Sequence, residues 1–209
     1  MDNVRPEPGA ELHSGPETVP RMAATVILLR GGVDTLEVLL ARRNPEARFM
    51  AGAWVFPGGA VNPDDGVGDD ALRAAAIREL REEVGVKLDA SDELVAFSRW
   101  ITPAAVKTRY DTWFFLATLP DGEEPQVDGA EVVDARWFTP ESALEAARQG
   151  EILLVFPTIK HLEQLSGFAS VHQLLGHART RTVVPVKPRV VLTGETARIL
   201  LPGEPGYDQ

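Results

Sequence analysis

The apolar positions of this chain fall first into short dense runs and later into helical stripes. Met22 to Leu29 is a nearly unbroken apolar run, Gly31-Gly32-Val33-Asp34 is turn-like, and Leu36 to Leu40 is apolar again. Two such runs around a glycine turn predict a β-hairpin. Ala53 to Phe56 reads as a short buried strand ending at Pro57-Gly58-Gly59. Asn62 to Asp69 is rich in Asp, Gly and Pro and predicts a loop. From Ala71 to Val84 the period changes to that of a helix, with Ala74, Ala75, Ile77, Leu80 and Val84 as its stripe. Asp69 or Asp70 stands where a cap belongs, and Gly85 lies just past the end.

Strands are predicted over Leu94 to Ile101, Thr108 to Leu119 and Val132 to Phe138. Thr139-Pro140 places a capping threonine before a first-turn proline, and Gly150 ends that helix. Beyond it, Thr158 to Leu165 and Ser170 to His177 predict two short helices. Arg189 to Leu192 and Ala197 to Leu201 flank Gly194 as a last hairpin. Residues 1–20, with four prolines and two glycines, read as a flexible tail. The division expected is tail 1–20, a domain over 21–150, and a C-terminal extension over 151–209. The extension packs on the domain or forms a homodimer interface. Strands first, then a helix within a strand-rich body, predict an α/β sandwich.

Composition narrows the function. A net charge of −10 and a pI near 4.9 argue against nucleic acid or an anionic membrane as partner, since both want a basic face. The 209 residues include no cysteine, which excludes disulfides and thiolate chemistry. No apolar run approaches membrane-spanning length and no leader peptide is visible, so a cytoplasmic location is expected.

One segment carries unusual charge density: Arg78-Glu79-Leu80-Arg81-Glu82-Glu83-Val84-Gly85-Val86. Glu79 lies one turn before both Glu82 and Glu83, so the three side chains share one helix edge. Their mutual repulsion is relieved by a hard divalent cation, because Mg²⁺ and Mn²⁺ prefer carboxylate oxygen. A solvated charged face is the other reading of the same residues.

Together with Gly58-Gly59, this segment resembles the box of the Nudix hydrolase family, G-x5-E-x7-R-E-U-x-E-E-x-G-U, where U is apolar. Its second half fits at every fixed position. In the first half Asp70 stands at the pattern's distance before Arg78, but ten residues separate it from Gly59 where the pattern has five. It is also aspartate where the pattern has glutamate. The resemblance implies a Nudix α/β/α sandwich with a mixed sheet, and hydrolysis of a diphosphate bond in a nucleotide-like small molecule with Mg²⁺ or Mn²⁺. By resemblance, Glu79, Glu82 and Glu83 hold the metal, the Gly59 carbonyl completes its shell, and Arg78 orients the carboxylates. Glu131, six residues before Trp137, is the candidate for a later carboxylate at the substrate; a surface glutamate is the competing reading.

A looser resemblance lies upstream. Leu39-Leu40-Ala41-Arg42-Arg43-Asn44, then Arg48, Gly52 and Phe56-Pro57-Gly58-Gly59, is similar to the motif of the coenzyme A diphosphatase branch, with Ala41 and Asn44 as departures. It makes Arg43 and Arg48 candidates for substrate phosphate, with Arg42 beside them. Coenzyme A or acyl-coenzyme A is then the first substrate class. ADP-ribose, a nucleotide sugar or NADH is the alternative, and a non-catalytic ligand sensor the reading from another class.

Overall fold

The computed structural model describes residues 15–89, 92–193 and 196–208. Most of the expected tail, and the turn at Gly194, lie outside the described residues. Among those described, nine strands form one mixed sheet: β1 (Arg21–Gly31), β2 (Leu36–Arg43), β3 (Ala53–Val55), β4 (Gly58–Ala60), β5 (Val95–Ile101), β6 (Tyr110–Thr118), β7 (Val132–Phe138), β8 (Leu153–Leu154) and β9 (Pro185–Val186). Their order is β8-β3-β2-β1-β6-β5-β9, with β4 also on β1 and β7 also on β2. β1 and β6 run parallel, from Arg21↔Tyr110 to Leu29↔Thr118. A second ribbon pairs β10 (Arg189–Thr193) with β11 (Thr196–Leu200).

Both faces of the sheet are covered, which explains why β1 reads as a continuous apolar run rather than an alternation. Ala24, Val26 and Leu28 of β1 pack with Leu39, Phe115 and Ala117 against α1 (Gly68–Val84), through Leu72, Ala75, Ala76, Leu80 and Val84. Ile27 and Leu29 face the other way, with Val38, Leu40 and Leu116. That face meets α2 (Pro140–Arg148), α3 (Phe156–Leu165) and α4 (Val171–Arg179), through Ala143, Leu162, Leu165, Leu174 and Ala178. The result is the expected three-layer α/β/α sandwich.

The helix ends follow local chemistry. Thr139 caps α2 by accepting from Ser142 N–H, with Pro140 in the first turn. Gly85 ends α1 at φ 71°, a left-handed conformation, with its N–H on Arg81 O at 3.0 Å. The start of α1 differs from expectation. The cap position is Val67, and Asp69 and Asp70 lie in the first helical turn, where carboxylates favour the positive end of the helix dipole. The extension is woven into the sandwich: β8 adds to one sheet edge and β9 to the other.

Candidate active site

The site begins with two glycines. Pro57-Gly58-Gly59 turns β3 back as β4, which pairs antiparallel with β1 through Ala24↔Gly59 and Thr25↔Gly58. A Cβ on Gly58 would stand 2.5 Å from Ala24 O and 2.6 Å from Thr25 Cα. A Cβ on Gly59 would stand 2.5 Å from the Glu79 carboxylate. Only glycine brings the backbone this close to both strand and helix.

The helix then presents its acids. Glu83 lies on the buried side of α1 and is 3% exposed. It accepts from Gly58 N–H through Oε2 at 2.9 Å, and Arg43 Nη1 lies 3.8 Å from Oε1. Burial pushes its carboxyl up to about 7, the Gly58 amide opposes that, and the charge on Glu79 adds to it. Burial also raises Glu79, against the pull of Arg78. Glu82 is half exposed, at the rim.

Arg78 ties the acids together. Its Nη1 donates to Glu79 Oε1 at 2.7 Å and to Glu82 Oε2 at 3.0 Å. Its Nε and Nη2 each donate to Asp65, at 2.9 Å, and Nη2 also reaches Ala60 O. The sequence reads Asp65 as part of a solvated loop, and the structure places it on Arg78 instead. It sits in the 3-10 turn Pro63–Asp65, where its Oδ2 also accepts from Asn62 N–H. Its carboxyl is held below the ordinary value by Arg78. Asp70, the acid that the box spacing counted back from Arg78 selects, is exposed on α1 instead. Five intervening residues after Gly59, as the pattern has, lead to Asp65. The added residues therefore lie between this acid and Arg78, extending the start of α1 as well as the loop, and not before the acid.

Gly58, Gly59, Arg78 and the three helix glutamates line a cavity of about 520 Å³, together with Arg43 and Glu131, while Asp65 stands behind Arg78 outside the lining. Glu131 is close enough to raise both Glu79 and Glu83 electrostatically. Its N–H bonds Asp128 and its carbonyl accepts from Asn44 N–H, which fixes the loop before β7 against the end of β2. Arg43 alone of the three upstream arginines reaches the cavity. Arg42 and Arg48 are exposed and outside its lining. Alternation along β2 turns Arg42 away from the face that Arg43 occupies, and Arg48 lies beyond the strand's end.

Four carboxylates in the lining thus meet two guanidinium groups, Arg43 and Arg78, and Asp65 already takes much of one. Among the described residues no three acids converge as a ready cage: Arg78 holds Glu79 and Glu82, and Gly58 holds Glu83. The donor set still fits a hard divalent cation. It is all oxygen, it carries excess negative charge, and its burial raises Glu79 and Glu83 as an uncompensated anion cluster does.

The NUDIX domain family matches residues 19–156. The chain belongs to the NUDIX family. Within that family it is 31% identical over 182 residues to a Caenorhabditis elegans protein designated nudix hydrolase 7, covering 70% of this chain and 60% of that one. It is 32% identical over 201 residues to the acyl-coenzyme A diphosphatase NUDT19 of Homo sapiens, covering 91% of this chain and 52% of that one. The chain therefore spans little more than half the length of these relatives. Among solved structures it is similar to a NUDIX hydrolase from Alicyclobacillus acidocaldarius, with a TM-score of 0.67 and 28% identity over 76% of this chain and 96% of that one.

Two other features of this NUDIX domain lie away from the acidic cluster. His161 of α3 is 1% exposed, with Nε2 2.5 Å from Ser98 Oγ and Nδ1 2.7 Å from Pro157 O. A carbonyl only accepts, so Nδ1 carries the proton and Nε2 accepts from the Ser98 hydroxyl. Burial holds this imidazole down at about 4, and the Phe114 ring lies 4.2 Å away, centroid to centroid. The second feature is Arg109, 6% exposed, which donates to Glu17 Oε1 and Thr18 O at 2.6 Å. The described end of the expected tail is thus tied to the residue that leads into β6. No helix among the described residues is long and apolar enough to cross a membrane.

Proposed function

We propose that this chain is a metal-dependent diphosphatase that cleaves a diphosphate joining a nucleoside to another group, with coenzyme A or its thioesters as the substrate class. The observation that carries this reading is the shared edge of Glu79, Glu82 and Glu83 on the rim and floor of one cavity, with Arg43 beside them. Glu79, Glu82 and Glu83, with the Gly59 carbonyl, are the groups that would hold Mg²⁺ or Mn²⁺. When bound, such a cation activates water and neutralises phosphoryl oxygens.

The chain's own residues supply the rest. Gly58 N–H fixes Glu83 through Oε2, which leaves Oε1 turned toward Arg43. Arg78 holds Glu79 and Glu82 apart from one another's repulsion and is itself anchored by Asp65. Arg43, held by Phe49 O at 3.3 Å, is the cation placed to meet a phosphoryl oxygen. Glu131 adds a carboxylate from a separate loop.

The coenzyme A class is supported by the upstream motif around Arg43 and by the similarity to the human acyl-coenzyme A diphosphatase over most of this chain. The test is phosphate release, after a coupled phosphatase, from coenzyme A, ADP-ribose, NADH and a nucleotide sugar with each metal. Turnover led by coenzyme A or its thioester supports the reading. Turnover led by another compound moves the substrate class, and silence from a folded protein favours a ligand sensor.

A further inference from the structure

The first turn of α3 and the residue before it supply one wall of the cavity, through Val155, Phe156, Pro157 and Thr158. His161 stands one turn further on, three residues after Thr158 and four after Pro157, so it shares their helix face. It is not part of the lining. It lies behind the wall and is bonded on both sides. Nδ1–H donates to Pro157 O at 2.7 Å, and Nε2 accepts from Ser98 Oγ at 2.5 Å. The imidazole thus joins the first turn of α3 to β5. Four rings surround it: Phe114 at 4.2 Å, Trp100 at 5.5 Å, and Phe56 and Phe97 each at 6.1 Å, centroid to centroid. Of these, Phe56, Trp100 and Phe114 line the cavity.

An apolar side chain could fill the same space. Packing alone would then set the distance between α3 and β5 and leave their orientation less defined. A buried imidazole is costly unless both nitrogens are matched. Both are matched here, and two directional bonds fix how the first turn of α3 sits on β5. The acids do not depend on that lock. Gly58 and Gly59 are held by pairing with β1, Glu83 by Gly58 N–H, and Glu79 and Glu82 by Arg78. The acidic end and the wall are built separately within one cavity. We propose that His161 is a positioning residue for substrate: it locks the first turn of α3 onto β5 and so fixes the wall that meets the arm beyond the diphosphate. This inference rests on the diphosphatase reading above and holds for whichever arm lies there.

The experiment measures kcat and KM separately, on the preferred compound of the substrate panel, for wild type, His161→Leu, His161→Gln, Ser98→Ala and Leu165→Ala. His161→Leu fills the space and removes both bonds. Its KM should rise roughly tenfold, on the scale of two lost hydrogen bonds of ordinary net strength. Its kcat should stay within about threefold of wild type, as loss of ground-state binding leaves it. Ser98→Ala removes one bond from the sheet side and should raise KM several-fold; it serves where His161→Leu fails to fold. His161→Gln offers one donor and one acceptor in place of the two nitrogens and should bring KM back to within about threefold of wild type. Leu165 is buried in the same helix and is not part of the lining, so Leu165→Ala should lower Tm and leave KM unchanged. An unmoved KM in folded His161→Leu or Ser98→Ala overturns the inference, as does an equal rise in Leu165→Ala or a loss carried by kcat. The diphosphatase reading survives each of these results. No turnover of any diphosphate by folded wild type overturns that reading and this inference together.

Discussion

Arg78 grips both carboxylate oxygens of Asp65, with Nε and Nη2 each at 2.9 Å. The same guanidinium holds Glu79 and Glu82. Asp65 therefore acts on the acidic cluster through Arg78 and is a positioning residue. Asp65→Asn removes the charge that anchors the fork. Turnover is expected to fall roughly 10- to 100-fold, the usual scale for an outer-shell partner. Asp70→Asn, at the position that the spacing from Arg78 selects, should change the rate less than about twofold. Steady-state rates for both variants decide between the two acids.

That contrast shows what the sequence could and could not reveal. The apolar runs of β1 and β2, and the stripe of α1, were legible because burial leaves a period in the chain. The buried stripe is rotated slightly from the expected one, centring on Leu72, Ala76 and Leu80, and Glu83 falls within it. β4, β8 and β9 are two or three residues long, too short to show any alternation. The acidic trio was legible from helix geometry. Asp65 was not, because a loop of added length breaks the count from the helix side. Nor could spacing tell that Arg43 faces the cavity while Arg42 and Arg48 do not.

The two glycines should fail differently. A Cβ on Gly58 meets strand backbone, which cannot yield, so Gly58→Ala should lower stability by about 1–3 kcal/mol. A Cβ on Gly59 meets the Glu79 carboxylate, the movable end of a side chain. Gly59→Ala should keep most of the stability and lose turnover roughly a hundredfold, as misplacement of a reacting group by an ångström does. Urea melts and rates on the same preparations separate the two.

Glu83 should strain the metal-free protein at alkaline pH. Its carboxyl is raised from 4.5 to about 7 in the folded state, so the folded state holds the proton more tightly than the unfolded one. The stability this contributes is fully present below pH 4.5 and is lost as pH rises through 7. At pH 8 with chelator, Glu83→Gln should therefore be more stable than wild type, by on the order of 2–3 kcal/mol. Adding Mg²⁺ should raise the wild-type Tm and leave that of Glu83→Gln nearly unchanged. A variant less stable than wild type at pH 8 would contradict the account of the buried acid.

His161 works in the opposite sense. Its imidazole is lowered from 6.5 to about 4, so the unfolded state binds the proton more readily. The stability it contributes is present above pH 6.5 and is lost as pH falls through about 4. Denaturant stability of wild type should drop between these values by on the order of 3 kcal/mol more than that of His161→Gln. Parallel profiles for the two proteins would mean that the imidazole is not held neutral by its surroundings.

Glu79, Glu82 and Glu83, as proposed above, would turn a bound divalent cation and water on a diphosphate. The most direct test is the initial rate on the preferred compound of the substrate panel, against Mg²⁺ concentration, for wild type, Glu82→Gln and Glu83→Gln. The wild-type rate should saturate with Mg²⁺ and vanish with chelator. Each variant whose melt shows it folded should lose at least roughly a hundredfold. A wild-type rate indifferent to chelator, or a folded variant with near-normal turnover, would contradict this role.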